Sequence, residues 1–339
     1  MTQADSRLSR RNFIRLTAGL AVAGGVGLAE LTRAARSAER VQEARMLLGS
    51  IAHLTVISPD GARARAAINA AFDRMAAFED VMSRFRPHSQ LSQLNTSGVV
   101  TNPHPALKTV LTKAVAYGDL TGGAFDVSVE AVLRYYRGAS QRGSLPDADV
   151  IAAARELVDY HQISIGDDTI RLNRHGMALT LDGIAKGYII DAGAAVFREY
   201  GFEQVIVELG GDLQAYGSAE QRAWQVSIEQ PQGGAPLIAQ IVNRALATSG
   251  DYLYTFTPDR RLHHIIDPLN GVSPDELSSV SVIAPTACDA DALATALMVM
   301  GSTAGLALID RLPDTEALVI SKRGVIRTSA NFPIRGNLV

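Results

Sequence analysis

Apolar and polar positions along the chain sort it into strands and helices. Residues 53–57, His53-Leu54-Thr55-Val56-Ile57, have the composition of a strand. Over 62–82, apolar residues recur at helical spacing through Ala67, Ala70, Ala71, Met75 and Phe78, which predicts a long amphipathic helix. The polar stretch 83–105 reads as a loop, and 106–121 as a helix stopped by Gly122-Gly123. A helix over 147–160 follows Pro146, and Ile163-Ser164-Ile165 pairs with Thr169-Ile170-Arg171-Leu172 across Gly166-Asp167-Asp168 as a hairpin. Residues 179–181 end a strand, 185–200 form a helix, and 204–209 form an almost wholly apolar strand running into Gly210-Gly211-Asp212. Further strands are predicted at 224–229, 238–242, 245–249, 262–267, 280–284 and 317–321, with helices at 290–300 and 303–312. Hairpins and helices mix without regular alternation or repeat. The pattern therefore predicts an α+β fold of layered mixed or antiparallel sheets with packed helices, rather than a doubly wound parallel sheet. No linker divides residues 39–339, which read as one large domain.

The first 38 residues are of another kind. Ser9-Arg10-Arg11-Asn12-Phe13-Ile14-Arg15 precedes an uncharged, Gly/Ala-rich stretch over 16–29. As a helix that stretch spans only about 21 Å, too short for a comfortable bilayer crossing. Residues 1–38 therefore read as a cleaved leader, and the arginine pair resembles a twin-arginine export signal. The expected location is the periplasm; an amphipathic surface helix is the alternative.

Composition narrows the chemistry. With 47% hydrophobic and 20% charged residues in 339, the chain is an ordinary globular protein. Its net charge of −3 becomes −7 without residues 1–38, and no lysine-arginine run follows, so nucleic acid is a disfavoured partner. The single cysteine, Cys288, excludes an internal disulfide, and no cysteine-histidine cluster has zinc or iron-sulfur spacing. Any metal should be a hard, oxygen-bound one.

Glycine and charge meet at several strand ends. Leu181-Asp182-Gly183-Ile184-Ala185-Lys186-Gly187-Tyr188 runs from a strand into a helix whose first turn holds Lys186, and amides plus an ammonium suit a diphosphate. Val207-Glu208-Leu209-Gly210-Gly211-Asp212 and Thr248-Ser249-Gly250-Asp251-Tyr252 are two more, each open to reading as a tight turn alone. His263-His264-Ile265-Ile266-Asp267 places a histidine pair and a carboxylate ahead of a Pro268–Gly271 turn. In Cys288-Asp289-Ala290-Asp291-Ala292-Leu293-Ala294-Thr295, Asp289 is placed as a helix N-cap, and Asp291 and Thr295 share one helical face. That carboxylate and hydroxyl are oxygen donors suited to Mg²⁺; a first-turn acid favoured by the helix dipole is the plainer alternative.

Together these stretches resemble the FAD:protein FMN transferase, or ApbE, family, from about Leu48 to the C-terminus and in the family's order. The resemblance also rests on Ser83-Arg84-Phe85, Ser89-Gln90-Leu91-Ser92-Gln93-Leu94-Asn95, Gly122-Gly123-Ala124-Phe125-Asp126-Val127 and Ala247-Thr248-Ser249-Gly250-Asp251-Tyr252. It implies a T-fold-like α+β domain, FAD as substrate, Mg²⁺, and transfer of FMN onto a threonine or serine hydroxyl of a partner flavoprotein with release of AMP. By position it implies metal ligands at Asp291, Thr295 and the Gly183 carbonyl, and FAD contacts at Leu48, Phe85, Arg86, Ala124, Thr180, Lys186 and Ile266. The family usually carries an acid where this chain has Thr180, with Asp182 displaced toward the glycine. Asp267 and His264 are the candidates for taking the hydroxyl proton, as the titratable pair in the flavin-side turn. Export points to an acceptor outside the cytoplasmic membrane, such as a subunit of a membrane electron-transfer complex. An Mg²⁺-dependent FAD pyrophosphatase and a non-catalytic flavin-binding accessory protein are the other readings.

Overall fold

Strands β1 (Glu39–Leu47) and β2 (Ser50–Ser58) open the fold as a hairpin turned at Leu48-Gly49. Both turn residues take left-handed backbone, φ 49° and 70°, the twist that two-residue hairpins favour. The structure is a computed structural model and describes residues 38–219 and 222–335. The leader expected at 1–38 falls, save its last residue, outside the described residues.

The hairpin is one edge of an eight-stranded sheet. It is continued by β6 (Val205–Leu209), β7 (Asp212–Tyr216), β10 (Ala245–Gly250), β11 (Leu277–Ala284), β12 (Glu316–Ser321) and β13 (Ile326–Thr328), in the order β1-β2-β6-β7-β10-β11-β12-β13. Every pairing is antiparallel. Helices α1 (Gly61–Met82), α6 (Ala185–Glu199) and α7 (Ala287–Ile309) cover one face, and Leu54, Val56, Val207, Ala247, Val280 and Val282 point into that core. On the opposite face lies the hairpin of β8 (Trp224–Ile228) and β9 (Leu237–Ile241). It sets Trp224, Val226 and Ile228 against Ile206, Leu213, Leu246 and Ile283. This alternation of inward and outward residues is what a sheet buried on both faces requires.

α7 is long and apolar enough to cross a membrane by length and composition, but it packs against β10, β11 and α6. Its hydropathy is that of a core helix. The two helices predicted at 290–300 and 303–312 are one element with a kink at Gly301, whose φ is 76°.

Several elements depart from the sequence pattern. The polar stretch 83–105 holds α2 (Gln90–Ser97), capped by the Ser89 hydroxyl, and β3 (Val99–Thr101). β3 joins β4 (Ile163–Ile165) and β5 (Thr169–Leu172) in a small sheet, where the predicted 163–172 hairpin stands. α3 (Pro105–Leu120) matches its prediction, whereas α4 (Glu130–Gln141) and β7 were unforeseen. The helix predicted over 147–160 ends as α5 (Ala148–Arg155). Residues 262–267 are not a strand: beyond one bridge between Thr255 and His263 they form irregular chain that buries His263, Ile265 and Ile266.

Gly187 shows how tightly α6 meets the start of α7. A Cβ there would lie 2.1 Å from the Ala287 carbonyl oxygen, a backbone atom that cannot step aside. Gly187→Ala should therefore cost about 3 kcal/mol or more of unfolding free energy, read from the urea midpoint.

Candidate active site

At one end of the large sheet three segments converge: the turn into α6, the Gly210-Gly211 turn between β6 and β7, and the first turns of α7 beside the end of β10. Asp212, 1% exposed, is gripped from two sides. Its Oδ1 accepts the Thr248 N–H at 3.0 Å and its Oδ2 lies 2.8 Å from the Lys186 ammonium. Asp291 is buried on α7, and its Oδ2 accepts the Gly187 N–H at 3.0 Å. Thr295, one turn further along α7, has its hydroxyl 3.2 Å from that of Ser249. Gly183 faces the same threonine so closely that a Cβ would sit 2.8 Å from Thr295 Oγ1, so only glycine brings this backbone up to the hydroxyl. Asp291, Thr295 and Gly183 thus meet in one place.

Charge in this pocket is unbalanced. Three buried acids, Glu208, Asp212 and Asp291, surround one lysine. Burial, reinforced by Asp212, pushes Asp291 up to about 7 against the pull of Lys186 and the Gly187 N–H. Glu208 rises to about 7 for the same two reasons, although Gly211 N–H donates to its Oε1 at 2.7 Å. Burial works against the Lys186 charge, but the attraction of Asp212, Asp291 and Glu208 outweighs it and raises its pKa. Such an excess of buried negative charge is relieved by a cation. Among the described residues no three histidine, cysteine, aspartate or glutamate side chains group as a metal site. The oxygen donors beside that charge are the Asp291 carboxylate and the Thr295 hydroxyl, with the Gly183 backbone packed against the threonine, and they are of the hard kind that Mg²⁺ accepts.

Histidine 264 belongs to the same neighbourhood, sensing the charges of Asp182 and Lys186. Its Nδ1 lies 3.2 Å from the Tyr254 carbonyl oxygen, so Nδ1–H donates and Nε2 carries the lone pair. Burial, with His263 beside it, lowers its pKa to about 4 and keeps the ring neutral. Asp267 is otherwise engaged: Leu269 N–H donates to Oδ1 at 2.9 Å and the Asn270 amide to Oδ2 at 2.8 Å. Both oxygens hold its own turn, whereas His264 keeps one unprotonated ring nitrogen.

The residues expected around FAD are distributed as follows. Thr180 is buried, donates its N–H to the Val127 carbonyl at 2.8 Å and so ties the Ala124 loop to the turn into α6. Phe85 is 74% exposed under the Arg84 guanidinium, and Arg84 Nε reaches Asp182 Oδ2 at 2.8 Å, which brings the 83–86 turn to the same rim. Leu48 sits at the β1–β2 turn, beside the strand start that receives the Gly210 N–H at Ile51 O. Arg86 is occupied by Glu79 at 3.1 Å and by Asp80. Ile266 is 3% exposed, packed with Val132, Leu133 and Tyr136, so its side chain serves the core and only its backbone is left for a ligand. Asp289, expected as the α7 N-cap, lies inside the helix. The cap is Thr286, whose hydroxyl accepts the Asp289 N–H at 3.1 Å, and the Asp289 carboxylate binds Lys113 and Tyr117. Asp212 and Glu208 lie in the 207–212 stretch where the sequence joins glycine to charge, but nothing in the sequence assigns either acid a role in the site; the pairing of Asp212 with Lys186 and the burial of both acids come from the fold.

His263, fully buried, is neutral as well: burial lowers its pKa to about 4, with Lys322 and Asp275 its charged neighbours. Its unfolded pKa is near 6.5, so between about pH 6.5 and 4 the unfolded chain binds the extra proton and stability falls as pH falls. Glu208 and Asp291 act in the opposite direction, so the difference from a variant is what isolates the histidine. Relative to His263→Gln, the wild type should lose about 3 kcal/mol between pH 7 and pH 4, measured by urea unfolding.

This antiparallel sheet backed by three helices recurs in known proteins. The ApbE family model matches residues 48–319, and the chain belongs to the ApbE family. A Treponema pallidum protein named FAD:protein FMN transferase is 31% identical over 322 residues, covering 86% of this chain and 88% of its own. The flavin transferase ApbE of Vibrio cholerae superposes with a TM-score of 0.75 at 27% identity, over 86% of this chain and 96% of that one. The ApbE protein of Thermotoga maritima gives 0.79 at 26% identity, over 86% and 97%. The α+β class expected from the sequence holds.

Proposed function

We propose that this chain is an enzyme that transfers the FMN half of FAD to a threonine or serine hydroxyl of an acceptor flavoprotein, with Mg²⁺, releasing AMP. The observation that carries the reading is the meeting of Asp291, Thr295 and Gly183 beside the Lys186–Asp212 pair in a pocket with more buried acids than bases. The names of its relatives supply the donor and the kind of acceptor. Asp291, Thr295 and the Gly183 carbonyl would hold Mg²⁺, which neutralises charge on the diphosphate. Lys186 orients that diphosphate, and the exposed Phe85 ring offers the flavin a face. The acceptor oxygen attacks the phosphorus of the FMN half, the bond from that phosphorus to the bridging oxygen breaks, and AMP departs. His264 Nε2, neutral and bearing a lone pair, takes the hydroxyl proton. The catalytic work is positioning and electrostatics.

Incubation of the protein with FAD, Mg²⁺ and an apo flavoprotein acceptor should yield one AMP per protein-bound flavin, and chelation by EDTA should stop it. Free FMN in place of bound flavin would convert the reading to FAD pyrophosphatase, and intact FAD would leave only a flavin carrier. The leader over 1–38 would deliver the enzyme to the periplasm by the twin-arginine route, and mutating Arg10 and Arg11 to lysine should retain it in the cytoplasm on fractionation.

A further inference from the structure

The outer edge of β8 is an unfilled strand position. On the other side of the hairpin, β9 is already covered: Gln240 N–H donates to Pro333 O at 2.9 Å and Arg335 N–H to Ile238 O at 2.8 Å. Gln240 and Ile238 thus turn their main-chain groups away from β8. Their register partners Gln225 and Ser227 must then turn theirs away from β9, since opposed residues in an antiparallel ladder bond as pairs. Among the described residues none of these four N–H and C=O groups meets a backbone partner.

Beside that edge runs a cleft of about 50 Å³, floored by Leu213 and Leu246 of the large sheet and flanked by Tyr252 and Leu253. Glu208 and Glu229 line it, and no lysine or arginine does. Glu208 is 3% exposed, and its Oε2 has no hydrogen-bond partner among the described residues. Main-chain groups along β8 that are unpaired among the described residues, with the acidic lining beside them, suit a polypeptide that is rich in N–H donors and neutral or basic. The cleft also touches the reacting site, because Asp212 lines the one and pairs with Lys186 in the other, across the Gly210-Gly211 turn.

We propose that the acceptor polypeptide binds as an extended segment along the free edge of β8, making a third strand of the small sheet. From there its hydroxyl passes over the Gly210-Gly211 turn to the Lys186–Asp212 pair. The inference rests on the flavin-transfer reading and adds to it how the protein substrate is held. Main-chain pairing with Gln225 and Ser227 supplies affinity, as in other strand-addition complexes.

Ser227→Pro tests this directly. It removes the outward N–H and sets a ring against the incoming strand, while the bonds to β9, made by Trp224, Val226 and Ile228, stay intact. With the apo acceptor domain of a flavoprotein that a related FMN transferase modifies, Ser227→Pro should raise the acceptor KM about tenfold or more. FAD affinity should be unchanged, and Ser227→Ala, which keeps the N–H, should behave as wild type. Amide hydrogen exchange on the wild type needs no variant to fold: the acceptor domain should slow exchange at Gln225 and Ser227. An unchanged acceptor KM in folded Ser227→Pro, or unchanged exchange at those amides, overturns strand addition while transfer by the wild type still upholds the enzyme. A wild type that transfers nothing overturns both.

Discussion

Asp291→Asn should lower FMN transfer by about 10³-fold, since in the proposed mechanism a hard cation would lose its one charged protein ligand and with it several kcal/mol of transition-state stabilisation. The fold should survive. Asparagine still offers an oxygen to the Gly187 N–H, and the substitution removes a buried charge that burial and Asp212 already disfavour. Thermal melting at pH 8 should therefore match or exceed that of the wild type, while the transfer assay falls to background. A variant that melts normally and transfers normally would take Asp291, and the cation, out of the mechanism.

Lys186→Met is the second large effect, and it separates stability from binding. Removing the ammonium leaves Asp212 buried at 1% exposure without its counter-ion, beside Asp291 and Glu208. Breaking a buried pair in this way costs about 3–5 kcal/mol. Adding Asp212→Asn removes the orphaned charge, so the double variant should recover most of that loss on urea unfolding. It should not recover FAD binding, which flavin fluorescence titration should place at least about tenfold weaker than wild type, because the ammonium that would face the diphosphate in the proposed complex is gone. Wild-type affinity in the double variant would make Lys186 a structural residue only.

The histories of these residues in the sequence differ. Asp291 and Thr295 could be paired by eye because helical spacing puts positions four apart on one face, and the structure sets Thr295 against Gly183 and Asp291 against Gly187. The Lys186–Asp212 pair has no such spacing: it exists because α6 and β7 end at the same edge of the sheet, a tertiary fact. Strand β1 escaped notice because it is an edge strand with only Val41 and Leu47 of its nine residues buried, which leaves almost no apolar pattern to read. α2 was hidden in a Ser/Gln/Asn-rich stretch whose only buried positions are Leu91 and Leu94. Residues 262–267 misled in the opposite sense. Their apolar run is real, but beyond the Thr255–His263 bridge no strand among the described residues pairs with them, and Ile265 and Ile266 are buried from irregular chain, one in the main core and the other in a separate cluster. His264 and Asp267 looked equivalent in sequence, and only their hydrogen bonds distinguish a ring with a lone pair from a carboxylate spent on its own turn.

Intact mass spectrometry of an apo flavoprotein acceptor, after incubation with this protein, FAD and Mg²⁺, meets the central claim head on. The account predicts an added mass of one FMN residue, localised by fragmentation to a threonine or serine, and its absence when Asp291→Asn replaces the wild type. An acceptor that keeps its original mass while FAD is cleaved, or one that gains FMN equally well with the variant, would contradict it.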